Sequence, residues 1–162
     1  MRTIIGIDPG SKGFICAENE GKRVYLSIAD NDRNRIAGFI RAVADDNESV
    51  VAVMEEVHAV FGSSAKATFN FGEIFGFLRG VIIACGIPYH LVQPKDWQKE
   101  IWINADKVYK SGKTIDTKAT SINAAARLFP DIDFRRTGLC KGIDDNKVDA
   151  TLITEYGRRK NI

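Results

Sequence analysis

The chain has 162 residues, of which 44% are hydrophobic and 27% charged, a balance typical of a globular protein with one sizeable core. No apolar run is long and uninterrupted enough to predict a membrane span, and no signal-peptide pattern precedes Asp8, so we expect a cytoplasmic protein. The net charge of +2 is too small to identify a nucleic-acid partner, but residues 1–60 carry −3 and residues 61–162 carry +5. That uneven distribution fits phosphate contacts around an acidic site.

The apolar pattern predicts five strands and five helices along one domain, residues 1–162. The strands are expected at residues 3–8, 14–17, 23–28, 50–54 and 88–93. The helices are expected at residues 33–45, 67–85, 117–128 and 145–156, with a short one beginning at Pro94 and Gly157 as the last C-cap. Residues 103–116 and 131–144 lack a clear period and are predicted to be loops. This order predicts an α/β fold, in which helices flank a mixed sheet made of an antiparallel meander and parallel strands.

Three glycines, Gly72, Gly76 and Gly80, recur at four-residue spacing inside the second predicted helix. Each glycine costs about 1 kcal/mol relative to alanine in a helix interior, so the stripe predicts close packing there. The neighbour is another helix, the sheet or a second subunit. Glu73 and Arg79 interrupt the run and exclude the membrane use of this motif.

Carboxylates are predicted at the ends of two strands and on the last helix. Asp8 ends the first strand and Glu55 ends the fourth. A meander followed by a right-handed crossover places the fourth strand parallel to the first, so both side chains emerge at one edge. Asp145 and Asp149 are four residues apart and share a helix face. If that helix packs beside the first strand, the four acids share one pocket.

Like charges at such short range raise one another's pKa, and a bound cation relieves the repulsion. Oxygen ligands select Mg²⁺, with Mn²⁺ as a substitute, and two ions roughly 3.5–4 Å apart form a site for in-line phosphoryl displacement. The three cysteines are widely spaced, and His58 and His90 have no third ligand, so no zinc site is predicted. Two simpler interpretations stay open: Asp8 in an ordinary Asp-Pro-Gly turn, and Asp144 as a helix N-cap.

Five segments, in this order, carry a resemblance to a known family: "IIGIDPGSKG", "VMEEVHAVFGSSAKATFNFGEIFGFLRG", "IPYHLVQPKDWQK", "TKATSINAAARLFP" and "DDNKVDATLITEYGRR". The chain resembles RuvC-type Holliday junction resolvases of the retroviral-integrase/ribonuclease H superfamily, and more closely their bacteriophage-like branch. The resemblance covers nearly the whole chain and implies a ribonuclease H-like five-stranded sheet.

The resemblance also implies the site residues. The catalytic and metal-binding acids are Asp8, Glu55, Asp145 and Asp149. Glu55 is preferred to Glu56 because the family acid directly follows the apolar strand and precedes x-Val-His. Lys118 in "TKAT" matches a family lysine near the scissile phosphate.

Three departures from the family pattern accompany these matches. The last two acids are four apart, as in phage-like members, where cellular members space them by three. Asp144 stands where phage-like members often carry histidine, so its participation stays open. His58, with Phe61 nearby, occupies the position of an aromatic residue that stacks at the junction centre.

The implied activity is that of a Mg²⁺-dependent crossover junction endodeoxyribonuclease. A homodimer with two ions per active site would nick opposing strands of a four-way junction and leave 5′-phosphate and 3′-hydroxyl ends, in a bacterial host cell if phage-encoded. The residues expected to contact DNA are Lys12, His58, Phe61, Lys66, Arg79, Lys107, Lys110, Lys113, Arg135, Arg136 and Lys141. Alternatives are a nuclease for forks, flaps or RNA–DNA hybrids, an actin-like ATP-binding domain, and a DNA-structure-binding protein without catalysis.

Overall fold

A computed structural model describes residues 2–56 and 64–162 of the chain. The strands are β1 (Thr3–Ile7), β2 (Phe14–Asn19), β3 (Lys22–Ser27), β4 (Val50–Glu55) and β5 (Tyr89–Val92). The helices are α1 (Arg33–Asp45), α2 (Ala65–Ala84), α3 (Pro94–Ile101), α4 (Thr117–Leu128) and α5 (Asp145–Arg159), with a 3₁₀ turn at Asn104–Asp106. The strand order β3-β2-β1-β4-β5 confirms the predicted mixed sheet.

The sheet places the ends of β1 and β4 side by side. β1 pairs antiparallel with β2 and parallel with β4, with Ile7 opposite Met54. β5 continues the parallel part beside β4, with Val92 opposite Glu55. Because parallel strands end at the same edge, the residues that follow Ile7 and Met54 emerge together.

Alternation along the strands divides the core into two layers. Ile5 and Ile7 of β1 pack with α1 and α2 on one face of the sheet. Ile4 of β1 and Val51 and Val53 of β4 pack on the other face, with α3, α4 and α5. Continuing the period of two, Asp8 and Glu55 fall on the face that α5 covers.

Helix α5 lies directly on β1, and glycine makes this approach possible. A Cβ at Gly6 would lie 2.1 Å from Thr154 Oγ1 and 2.5 Å from the Ala150 carbonyl oxygen. The predicted C-cap at Gly157 is wrong, because α5 continues through it to Arg159. A Cβ at Gly157 would lie 2.8 Å from Val53 Cγ2, so this glycine also serves close packing against the sheet.

Helix α2 packs by only one narrow face. Its buried residues are Ile74, Leu78 and Ile82, which join the core beside α1. A Cβ added at Gly72, Gly76 or Gly80 would meet no atom within 4 Å among the described residues. Packing inside the described part of the chain therefore does not account for the glycine stripe.

By length and composition alone, α2 is also apolar enough to cross a membrane, which the sequence interpretation excluded. A helix packed in the core of a globular protein has the same length and composition. The core contacts of Ile74, Leu78 and Ile82 are those of a helix packed on a sheet.

Candidate active site

The acid cluster consists of Asp8, Glu55, Asp145 and Asp149. Asp8 follows β1, Glu55 is the last residue of β4, and the other two lie one turn apart on α5. The structure brings these side chains into electrostatic contact: the charges of Glu55 and Asp145 act on Asp8, and those of Asp8, Glu55 and Asp145 act on Asp149. The cluster therefore joins three elements that are distant in sequence.

Asp8 takes part in a turn as well as facing the cluster. Its Oδ1 accepts a hydrogen bond from the Gly10 backbone N–H at 3.2 Å, while its own N–H donates to the Phe14 carbonyl. A Cβ at Gly13 would lie 2.0 Å from the Asp8 carbonyl oxygen, so the turn needs glycine there. The turn interpretation and the acid-cluster interpretation of Asp8 therefore hold together.

Glu55 is held by a tryptophan from α3. The indole Nε1–H of Trp97 donates to Glu55 Oε2 at 2.7 Å, and Trp97 is completely buried. Trp97 is part of the apolar core, and nothing in the sequence places its indole N–H beside a residue 42 positions earlier. Burial raises the pKa of Glu55, and this hydrogen bond opposes the rise.

Burial and mutual repulsion raise the pKa values of two of the acids, Asp8 and Asp149. Burial, followed by the charge of Glu55, raises the pKa of Asp8 to about 7. Burial, followed by the charge of Asp8, raises the pKa of Asp149 well above its ordinary value. Asp149 Oδ1 is buried without a hydrogen-bond partner among the described residues. Such an oxygen is a ready ligand for a cation.

Lys118 brings a positive charge to the acid cluster. Its Nζ lies 2.5 Å from Asp145 Oδ2, and its side chain is 73% exposed. The hydrogen bond to Asp145 raises the pKa of Lys118, so the ammonium stays protonated. Lys118 is the second residue of α4, and its exposed ammonium lies on the solvent side of the acid cluster.

Asp144 caps α5, and its charge also acts weakly on Asp8. Its Oδ1 accepts from the backbone N–H of Asn146 at 3.0 Å and of Lys147 at 3.4 Å, which confirms the N-cap interpretation. Its Oδ2 accepts from Arg136 Nε at 2.6 Å. Burial raises the pKa of Asp144, but the hydrogen bonds from Arg136 and Asn146 outweigh it and hold the pKa below its ordinary value.

Arg136 forms hydrogen bonds both to the turn after β1 and to the N-cap of α5. Besides Asp144, its guanidinium donates to the Lys12 carbonyl oxygen at 3.1 Å and to Asp30 Oδ2 at 3.2 Å, and it lies over the Phe14 ring. The side chain is only 24% exposed. We call this set of contacts the Arg136 clamp; it links the turn after Asp8 to the first turn of α5.

The donor set fits a hard divalent cation by its chemistry. The acids offer only carboxylate oxygens, two of them on groups that are costly to ionise without a counter-charge. Within residues 2–56 and 64–162, no three histidine, cysteine, aspartate or glutamate side chains are already arranged to hold a metal ion. The Lys118 ammonium contacts Oδ2 of Asp145, and the second oxygen of that carboxylate takes no part in this ion pair.

The other predicted DNA-contacting residues fall into three groups. Lys12, Lys110, Lys113 and Lys141 are exposed in turns and loops, Lys107 is partly exposed and donates to Asn104, and Lys66 is exposed on the first turn of α2. Arg79 donates to the Tyr89 hydroxyl at the far end of β5, and Arg135 pairs with Asp133. His58 and Phe61 lie outside the described residues.

Comparisons with known proteins identify the fold. No protein-family profile and no curated protein sequence matches the chain. The structure of "T. thermophilus RuvC in complex with Holliday junction substrate" matches with a TM-score of 0.62 and 12% identity, covering 99% of this chain and 95% of that chain. The "Thermus thermophilus RuvC structure" matches with a TM-score of 0.52 and 13% identity, covering 98% and 96%. The fold is therefore the RuvC/ribonuclease H-like fold, while the bacteriophage-like branch stays a prediction.

Proposed function

We propose that the chain is a metal-dependent endonuclease that cuts branched DNA. Specifically, it resolves Holliday junctions by paired nicking and leaves 5′-phosphate and 3′-hydroxyl ends, as a crossover junction endodeoxyribonuclease. One observation carries the proposal: carboxylates from β1, β4 and α5 meet at one edge of a RuvC/ribonuclease H-like sheet. A protein that only bound DNA would gain nothing from acids facing phosphate.

In this proposal Asp8, Glu55, Asp145 and Asp149 hold Mg²⁺ or Mn²⁺, with two ions per site. The bound ions supply neutralisation of the acids, activation of the attacking water and stabilisation of the leaving oxygen. The chain's own groups set the geometry: Trp97 orients Glu55 through its indole N–H, and the Arg136 clamp fixes α5 against the turn after Asp8. The buried Asp149 Oδ1 supports its assignment as a ligand.

Lys118 acts on the scissile phosphate. The Lys118 ammonium would donate to a non-bridging phosphate oxygen in place of Asp145 Oδ2, where negative charge grows in the transition state. Its high exposure and its tie to Asp145 support this role.

DNA is held through its phosphates, so binding falls steeply with salt. The exposed lysines on the turn after β1 and on the loops before α4 and α5 supply these contacts. RuvC from T. thermophilus has been solved with a Holliday junction substrate, which supports the choice of a four-way junction as the first substrate to test.

Two cuts in opposing strands require two active sites, and each chain supplies one acid cluster. We infer a homodimer in which the second copy covers the exposed face of α2. Phe69 and Ile83 are exposed on this helix, and the open space over Gly72, Gly76 and Gly80 allows another helix to approach closely. Burial of such apolar area is the usual driving force of association.

The decisive experiment incubates the protein with a synthetic four-way junction and Mg²⁺, beside an Asp149→Asn variant and a matched Asp131→Asn control. Asp131 is exposed and lies on the loop after α4. The wild type and the control should nick in a Mg²⁺-dependent way, and Asp149→Asn should lose at least about a hundredfold in rate, since removing a group of a catalytic unit costs about that or more.

Binding without metal-dependent nicking by the wild type contradicts the enzymatic proposal, and equal nicking by Asp149→Asn contradicts the site. The same assay on a fork, a flap, an RNA–DNA hybrid and a linear duplex tests the alternative substrates. A higher kcat/KM on the fork, the flap or the duplex than on the junction indicates broader DNA cleavage, and a higher kcat/KM on the hybrid indicates a hybrid-directed nuclease. Either result contradicts Holliday junction resolution as the main activity.

A further inference from the structure

The loop before α4 contains an ordered hairpin that sequence reasoning did not detect. Tyr109 and Ile115 form an antiparallel bridge, and Gly112 turns the chain with a φ of 87°. The Lys110 N–H donates to the Thr114 carbonyl at 2.9 Å, and the Asp116 N–H donates to the Val108 carbonyl at 2.8 Å. We call residues 107–116 the basic hairpin, because it carries three lysines and one aspartate.

The root of the basic hairpin is fixed to one face of α4. Val108 N–H donates to Thr120 Oγ1 at 3.1 Å, and Asn123 Nδ2 donates to the Asp106 carbonyl at 3.1 Å. Arg127 makes two hydrogen bonds, of 2.9 and 2.7 Å, to the carboxylate of Asp106, which is buried. Positions 120, 123 and 127 lie on one side of a helix, so the hairpin is anchored along two turns.

The tip of the hairpin stands out in solvent. Residues 109–114 are all exposed, and the Tyr109 side chain is 57% exposed. Lys110 approaches Asp116 at 3.8 Å but remains 60% exposed. An anchored loop that presents an aromatic ring between lysines matches the composition of surfaces that bind nucleic acid by stacking and charge.

The hairpin also lies next to the acid cluster along α4. That helix begins at Thr117, directly after the hairpin, and its second residue, Lys118, pairs with Asp145. Lys118 points away from the helix face that anchors the hairpin, but it follows Asp116, the last hairpin residue, by two positions, and the charge of Asp116 acts on it. Asp116 in turn lies 3.8 Å from Lys110 Nζ, so the charged groups of the hairpin and Lys118 are neighbours.

We propose that the basic hairpin binds the strand being cut, with Tyr109 stacking on a base left unstacked at the branch point. This inference rests on the proposed function and adds the element that distinguishes branched from continuous DNA. In a continuous duplex every base is already stacked on its neighbours, so the Tyr109 ring finds no free base face. The lysines contact phosphates in either substrate.

The test measures binding by fluorescence anisotropy in EDTA, using a four-way junction and a linear duplex of matched length. Tyr109→Ala and Tyr109→Leu should weaken junction binding about 5- to 100-fold, the range for loss of one base–aromatic stack, and leave duplex binding unchanged. Tyr109→Phe keeps the ring and should bind the junction as the wild type does. Lys113→Ala should weaken both substrates alike and lower the salt slope by about one unit.

Val24→Ala is the matched control, since Val24 is also an exposed apolar residue, on β3. Its binding to both substrates should equal that of the wild type. Unfolding curves of every variant exclude a folding defect. Equal losses on junction and duplex for Tyr109→Ala, no loss at all, or a Tyr109→Phe loss as large as that of alanine overturns the stacking role.

The outcomes also separate this inference from the proposed function. Wild-type protein that discriminates the junction through Tyr109 but does not nick it with Mg²⁺ contradicts the nuclease and supports the hairpin. Wild-type protein that nicks normally with Tyr109→Ala unchanged contradicts the hairpin alone. Absence of any DNA binding by the wild type contradicts both.

Discussion

Asp8 lies in an environment very different from that of a free carboxyl group. Burial and the charge of Glu55 raise its pKa from 3.8 to about 7, and burial shifts Glu55 and Asp149 in the same direction. Between these two values the folded chain binds a proton that the unfolded chain has released. Stability of the metal-free protein therefore falls as the pH rises through this window.

The Asp8→Asn variant tests this directly. Replacing the carboxylate by a neutral amide should raise the free energy of unfolding at pH 8 in EDTA by about 1–4 kcal/mol, with little change near pH 4. Mg²⁺ should stabilise the wild type more than the variant, because binding to the folded state adds to stability. Chemical unfolding at both pH values measures the effect, with Asp131→Asn as the control. A wild-type stability that is flat between pH 4 and 8 contradicts the prediction.

Among the secondary-structure elements, α5 fixes the site, because it carries two acids and lies on the strand that ends at Asp8. Its closeness to β1 depends on Gly6, and its orientation depends on the Arg136 clamp. The acid that caps it, Asp144, is 10% exposed. A clamp made by one guanidinium on several acceptors restricts rotation of the helix against the turn.

The Arg136→Met variant keeps the apolar stem and removes the guanidinium. We expect Mg²⁺-dependent nicking to fall about 10- to 100-fold in kcat, the usual effect of losing a partner that orients ligands, with little change in junction affinity. Stability should fall by about 1–3 kcal/mol, because Asp144 loses a partner. Arg136→Lys should recover part of the rate.

Arg135→Met is the matched control for the clamp. Arg135 is the neighbouring arginine, and its carboxylate partner is the exposed Asp133 on the same loop. This variant should nick with a wild-type kcat, and any loss of a DNA contact by Arg135 should lower junction affinity alone. If Arg136→Met instead weakens junction binding with a reduced salt slope and an unchanged kcat, Arg136 contacts DNA, as the sequence suggested, and the clamp has no role in positioning.

At the scale of the whole molecule, the sequence patterns predicted the antiparallel meander, the parallel pairing of β4 with β1 and the meeting of the acids, but not the place of β5 beside β4. Side chains alternate between the two faces of a strand, so Asp8 shares the face of Ile4 and Gly6, and Glu55 shares the face of Val51 and Val53. The right-handed crossover places β4 parallel to β1, so both acids lie at the same edge of the sheet.

Side-chain partners that join distant segments leave no such periodic signal. The hydrogen bond from Trp97 to Glu55 and the contacts of Arg136 emerge only when the chain is folded. Gly157 was misassigned for the same reason, since a glycine that ends a helix and one that packs on Val53 have identical local sequence signals.

The proposed dimer gives the last prediction, because paired nicking is a property of two chains. Gly76→Glu places a charge at the middle of the exposed α2 face, where a side chain meets no atom of the described residues within 4 Å. The folded monomer should tolerate it, and helix propensity should even gain about 0.5–1 kcal/mol. A close helix–helix contact should not tolerate it, since a buried unpaired charge is strongly unfavourable. Sedimentation should therefore show a dimer for the wild type and a monomer for Gly76→Glu.

Gly38→Glu on α1 is the matched control, because Gly38 is also an exposed helical glycine with open space around it. That variant should remain dimeric and should cut both strands of a junction in one binding event, as the wild type does. Gly76→Glu should make single nicks, because each chain keeps its own acids but no longer carries a partner to the opposing strand. A monomeric wild type contradicts the proposed dimer. A Gly76→Glu variant that stays dimeric and makes paired nicks excludes the α2 face as the interface.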